Sequence, residues 1–257
     1  MNRCLFRWFA RTSVAEKILM PKITIVETGL VSPERRARHG SFPQMFERMI
    51  SQADASASFA TVRLVDGEGL PDPAGLEAIL ITGSSAGVYD DLDWIAPLER
   101  FVRAAYQARV PMAGICFGHQ LIAQALGGTV RKSERGWGIG RHVYHVVPDN
   151  GVIDGEKIAI ACSHQDQVIE PPAGATTILH SAFTPHAGLV YANGAVLSVQ
   201  PHPEFTAAFA HICCEKAGQD SAPETLVATA KASLQQALDS ADLGRAIARF
   251  LAKPRKL

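Results

Sequence analysis

At 257 residues and 47% apolar content, the chain is long enough to bury the core of one α/β domain with an elaboration. Its 25 basic residues balance 25 acidic ones, so no net-charge argument favours nucleic acid or an anionic membrane surface. No apolar run approaches the roughly 18 residues a membrane-spanning helix needs, and an odd cysteine count without framework spacing points to a reducing, cytoplasmic compartment.

The first nineteen residues carry Arg3, Arg7, Arg11 and Lys17 against a single acid, Glu16. A short basic targeting peptide and an upstream extension compete as readings. The extension is adopted for residues 1–19, because Met20-Pro-Lys-Ile-Thr-Ile opens a strand at once and no apolar core or cleavage site of a secretory signal precedes it. Lys22 to Val26 is β-branched and is the first predicted strand. Glu27 to Gly40 is polar and reads as a loop, with Arg35-Arg36-Ala-Arg38 as solvated surface. Phe42, Met45, Phe46, Met49 and Ile50 recur at helical spacing. Phe59 to Val65 and Leu76 to Ile81 are the second and third strands, with a Gly- and Pro-rich loop between them. Tyr89 to Trp94 holds Asp90, Asp91 and Asp93 but lacks the glycine and ligand spacing of a calcium loop. It reads as a helix start with Asp93 as N-cap, and Ile95, Leu98, Phe101, Val102 and Ala105 mark that helix.

Val110 to Gly128 is the stretch around which the rest is organised. Met112 to Ile115 is a buried strand; Leu121, Ile122, Ala125 and Leu126 fall at helical spacing, and Gly127-Gly128 ends the helix. Cys116 sits at the join, within Gly114-Ile-Cys-Phe-Gly118. This is the elbow pattern glycine-x-nucleophile-x-glycine, whose glycines permit a turn too sharp for a Cβ. The turn places the sulfur at a helix N-terminus, where the dipole favours thiolate, and turns the Phe117 N–H toward an oxyanion formed there.

Beyond Gly128 the texture alternates. Val130, Val143, His145 and Val147, then Lys157 to Ala161, Thr176 to Leu179 and Leu189 to Tyr191, read as strands of a mixed or antiparallel extension. Asn193-Gly194 marks a hairpin. Ala195 to Val199 is a strand, and from Phe205 the chain turns helical. Ala222 to Leu251 forms two amphipathic helices whose apolar stripe suits either the domain's own surface or a dimer or partner interface. Strand-helix alternation in the first half predicts a parallel sheet covered by helices, with reactive groups at the carboxyl ends of its strands.

The second chemical segment is Val199-Gln-Pro-His-Pro-Glu-Phe205. A cysteine nucleophile needs a base, and the base an orienting acceptor; His202 and Glu204 supply both if their strand ends beside the elbow. Neither Cys4, Cys162, Cys213 nor Cys214 has metal-site spacing, and no metal or cofactor is expected.

The two segments together resemble the class I, triad-type glutamine amidotransferases. The nucleophile motif of that family, G-x-C-x-G-x-Q, is matched by Gly114, Cys116, Gly118 and Gln120, and its H-P-E motif by His202, Pro203 and Glu204. The resemblance implies a flavodoxin-like three-layer α/β fold, with a mostly parallel central sheet, helices on both faces and a C-terminal helical extension. It implies Cys116, His202 and Glu204 as catalytic, with Phe117 and either Gly83 or Ser84 as oxyanion donors. The loop Thr82-Gly83-Ser84-Ser85 departs from the family's G-G-P-x-S, losing a glycine and the proline. Gln120 and the Ser163-His164-Gln165-Asp166-Gln167-Val168 segment, similar to S-H-x-D-x-V, are implied on the substrate side, with Ser163, His164 and Gln165 as candidates. His164 also reads as a core or loop histidine.

The implied reaction is hydrolysis of the γ-carboxamide of glutamine through a thioester, the ammonia passing to a separate synthetase, since no P-loop follows. A γ-glutamyl peptidase acting on γ-glutamyl amides is the alternative, and an intact Cys116, His202 and Glu204 argues against a non-catalytic module. Residues 20–215 are read as the amidotransferase-like domain and 216–257 as a helical extension.

Overall fold

The computed structural model describes residues 20–255; the expected N-terminal extension lies outside them. In chain order the elements are β1 (Lys22–Glu27), α1 (Pro33–His39), α2 (Phe42–Ala53), β2 (Ser58–Arg63), β3 (Ala78–Ile81), α3 (Ile95–Gln107), β4 (Met112–Ile115), α4 (Phe117–Ala125), β5 (Thr129–Lys132), β6 (Gly138–Val146), β7 (Lys157–His164), β8 (Asp166–Glu170), β9 (Ala175–His180), β10 (Gly188–Tyr191), β11 (Val196–Val199), α5 (Ala207–Asp220), α6 (Glu224–Ser233) and α7 (Ser240–Leu251).

A nine-stranded sheet runs β2-β1-β3-β4-β11-β10-β9-β6-β7. The strands from β2 to β11 pair in parallel; from β11 to β7 every pairing is antiparallel. β3, β4 and β11 are buried at every residue, as strands covered on both faces should be. Along β1, Ile23 and Ile25 enter a core formed with α2 and α7, while Val26 joins the opposite core under α3 and α4. A third cluster packs α5 and α6 over Ile139 and Ala161. Each large aliphatic side chain so buried contributes about 1.5–3 kcal/mol.

Several sequence expectations change. Glu27 to Gly40, expected as a loop, contains α1, a helix with no buried residue and hence no apolar periodicity to reveal it. Pro33 presets its first turn, and Arg36, Arg38 and His39 complement its C-terminal dipole. Leu64 and Val65, expected in the second strand, leave it for a 3₁₀ turn that closes on Gly67 at φ 87°. Asp93 is not the cap of α3: Trp94 holds that position without a side-chain bond and packs its ring 5.5 Å from that of Phe117. The boundary expected between 215 and 216 falls inside α5.

The apolar stripe of the last helix packs within the chain. Leu243, Ile247 and Leu251 are fully buried in the same cluster as Ile23 and Phe46. Asp239 ties α7 to the sheet, its carboxylate accepting from the Ala159 N–H at 2.8 Å while its own N–H donates to the Ala159 carbonyl at 2.8 Å.

Candidate active site

β4 delivers Cys116 to the carboxyl edge of the sheet at φ 52° and ψ −102°, a backbone region that costs a non-glycine residue of order 1–3 kcal/mol. Its surroundings hold it there. The Cys116 N–H donates to the Val199 carbonyl at 2.9 Å, and the Gly118 N–H to that of Thr82 at 3.1 Å. A Cβ on Gly114 would lie 2.5 Å from the Gly118 carbonyl oxygen, and one on Gly118 2.5 Å from that of Ile81, so both glycines are set by close backbone approach. α4 starts at Phe117, whose side chain is fully buried and whose N–H lies in the unpaired first turn.

β11 lies directly beside β4 and continues into His202 and Glu204. The His202 Nδ1 donates to Glu204 Oε1 at 2.7 Å, and both side chains are almost wholly buried. The His202 ring stacks on Phe205 with centroids 4.0 Å apart and the two planes nearly parallel. Burial alone would lower the imidazole pKa; the charges of Glu204 and Cys116, with the hydrogen bond to Glu204, outweigh it and raise His202 to about 10. The structure therefore brings Cys116, His202 and Glu204 together, with the imidazole disposed to hold a proton next to sulfur.

Gly83 is the third part of this edge. A Cβ there would sit 3.1 Å from His202 Cε1 and 3.8 Å from Cys116 Cβ. The Gly83 carbonyl accepts from the Thr28 hydroxyl at 3.2 Å, and the same hydroxyl reaches the Thr82 carbonyl at 3.0 Å. Thr28 follows β1, which pairs with β3 opposite to β4. In a trans peptide the N–H of the next residue opposes the carbonyl, so the Ser84 N–H turns away from Thr28.

Cys116, Gly83, Ser84, Gln120 and the Ser163 to Asp166 turn all line one pocket of about 630 Å³. Cys116 Sγ lies 4.0 Å from the Ser163 carbonyl oxygen. Gln120 does not present its amide donor to that space: its Nε2 donates to the Asp166 carbonyl at 2.7 Å and to Gln200 Oε1 at 3.1 Å. His164 is buried, with Nδ1 3.2 Å from the Asp166 carbonyl oxygen; burial first, then the neighbouring His142 and His202, push it down to about 3, so its imidazole is neutral. Gln165 reaches Ser133 through its main-chain carbonyl. A groove of about 680 Å³ between α3 and the loop after β2 is larger but holds neither histidine nor cysteine.

Sequence reasoning passed over Gln200, Thr28 and Arg35. Gln200 is fully buried and donates toward Cys116 Sγ at 3.4 Å. Its signal was its place in Gln200-Pro-His-Pro-Glu204, where three polar residues alternate with prolines just past the end of a strand. Thr28 carries no such signal. Arg35, expected at the solvated surface, is half-buried in the pocket wall.

The family model for class I glutamine amidotransferases matches residues 41–210. The chain belongs to that family. Among relatives of this chain, γ-glutamyl peptidase 4 of Arabidopsis thaliana is 30% identical over 177 residues, covering 65% of this chain and 69% of the relative. A glutamine-hydrolyzing GMP synthase subunit from Sulfolobus acidocaldarius is 32% identical over 130 residues, covering 50% and 67%. Other peptidase relatives are matched over 60–61% of their length. In structure, a glutamine amidotransferase of Thermotoga maritima superposes with a TM-score of 0.70 at 20% identity over 90% of this chain and 98% of its own; one of Methylobacillus flagellatus gives 0.72 at 19% over 93% and 97%. These two share the α/β fold. Among the described residues no helix is long and apolar enough to cross a membrane, no group of three or more His, Cys, Asp or Glu could hold a metal ion, and Cys116, Cys162, Cys213 and Cys214 are all free thiols.

Proposed function

We propose that this amidotransferase hydrolyses a γ-glutamyl amide through a thioester on Cys116. The observation that carries the reading is the 2.7 Å His202–Glu204 contact beside the elbow cysteine. The thiolate attacks the γ-carbonyl carbon, and the oxyanion is held by the N–H groups of Phe117 and, by the peptide geometry above, Ser84. The C–N bond breaks as His202 gives its proton to the departing nitrogen. Water then enters, loses a proton to His202 and opens the thioester, restoring thiolate and imidazolium. Glu204 keeps the imidazole oriented throughout. The Ser163 to Asp166 turn sits where it can receive the glutamyl α-amino and α-carboxylate groups. Residues 20–255 act as one unit, since α7 completes the core beneath the elbow.

With glutamine as donor the product is ammonia, for which a separate synthetase chain is the natural acceptor, as the name of the Sulfolobus relative suggests. A γ-glutamyl peptidase is the second reading. The pocket favours it, because volumes of roughly 300–1,000 Å³ accommodate drug-sized ligands and 630 Å³ leaves room beyond free glutamine. A cytoplasmic, reducing location accords with a thiolate that must stay reduced.

The deciding experiment measures ammonia release from L-glutamine beside amine release from γ-glutamyl peptides, with Cys116→Ala as control. Turnover that persists in the control refutes the assignment.

A further inference from the structure

The site described above has a side that ammonia does not need. His202 must lie against the nitrogen it protonates, so the departing group sits on the His202 side of Cys116. From there the wall is aromatic and then cationic. Phe205 stacks on His202, Phe209 meets Phe205 edge-on at 4.7 Å, and Phe42 lies 6.3 Å from both. All three rings line the pocket, as do Trp137, Arg35 and Lys216.

The two cations differ. Lys216 is ion-paired with Asp220 on α5 and is half exposed. Arg35, on α1, has no hydrogen bond or ion pair among the described residues. Of the groups on α5 that face it, Glu215 is held below the usual carboxylate range first by its bond to Lys231 and more weakly by His211 and Arg35, and makes its direct contacts with Lys231 and His211; Cys213, a thiol pushed up mainly by burial, feels the guanidinium only at longer range. A half-buried guanidinium in direct contact with no carboxylate, opening on a pocket that contains a nucleophile, is a receptor for a carboxylate.

Building on the proposed γ-glutamyl hydrolysis, we infer that the aromatic wall of Phe42, Phe205 and Phe209 and the guanidinium of Arg35 form a leaving-group subsite, selecting γ-glutamyl amides whose amine half is an amino acid or peptide with an apolar body and a free carboxylate. The aromatic rings receive the body and Arg35 receives the carboxylate. When the C–N bond breaks, the nitrogen takes the proton of His202 and the product leaves as a free amino acid or peptide.

The test compares three donors: L-glutamine, γ-glutamyl-phenylalanine, and γ-glutamyl-phenylalanine amide, which has the same body without the carboxylate. The wild-type chain is expected to favour the dipeptide over its amide by roughly 10- to 100-fold in kcat/KM, the range for a charge-assisted hydrogen bond. In Arg35→Gln the two rates converge, and Arg35→Lys restores part of the difference. Equal wild-type rates on the two dipeptides, or a preference that survives in Arg35→Gln, overturn the subsite. Turnover of glutamine alone also overturns it while leaving the Cys116 reading in place. Silence on all three donors overturns the underlying reading itself.

Discussion

The side-chain amide of Gln200 donates toward the sulfur of Cys116 at 3.4 Å, and its carbonyl accepts from Gln120 at 3.1 Å. One fully buried glutamine thus touches the Cys116 sulfur and orders the helix that follows it. Replacing it with leucine removes a donor to the sulfur, and a hydrogen bond to a charged group contributes about 1.5–3 kcal/mol. Gln200→Leu is expected to slow turnover roughly 10- to 100-fold, and to slow alkylation of Cys116 by iodoacetamide as well. Unaltered alkylation would show that the contact does not act on the sulfur.

Substitutions at Cys116 and Glu204 should separate chemistry from folding. Cys116→Ala is expected to abolish turnover while leaving the denaturation midpoint near that of the parent, because the elbow is held by main-chain bonds to Val199 and Thr82. Glu204→Gln keeps the shape but removes the charge that orients His202, and should lower kcat by roughly 10²- to 10⁴-fold. Steady-state kinetics with urea melts on each variant check both statements.

The pH dependence of stability follows from His202. Its pKa is raised from 6.5 to about 10, burial opposing and the charges of Glu204 and Cys116 prevailing. A raised base stabilises the fold fully below its unfolded value, and that contribution fades as pH rises through the folded one. The urea midpoint of the wild-type chain should therefore fall between 6.5 and about 10 more steeply than that of His202→Gln. Parallel profiles would refute the ion-paired imidazole.

Gly118→Ala tests the close approach at the elbow. The added methyl would meet the Ile81 carbonyl oxygen at 2.5 Å, and backbone on both sides cannot yield cheaply. A destabilisation of about 1–3 kcal/mol is expected, read as a lower denaturation midpoint, with activity falling as the Cys116 turn shifts.

What could be read from sequence was what local backbone chemistry dictates. A strand, a glycine-flanked cysteine and a helix must form an elbow wherever they occur, and Asn193-Gly194 must turn. α1 escaped because a helix with no buried face leaves no periodic trace, and Arg35 was misplaced with it: only the folding of α1 across the pocket makes that arginine half-buried. Gln120 lines the pocket, but the direction of its donors depends on Gln200 and Asp166, which no spacing rule brings together. The stripe on α7 was visible, yet its destination against Ile23 and Ile25 depends on the whole sheet.

The strand order carries a consequence for the birth of the molecule on the ribosome. β4, with Cys116 at its tip, takes its place beside β3 early, but its other neighbour, β11, arrives only after β5 to β10 have been made, and α7, which seals the face beneath, follows later still. Contacts so distant in sequence close slowly. The nascent chain therefore carries the Cys116 thiol on an open sheet edge, without His202 beside it and without a finished floor, until β11 and α7 have emerged.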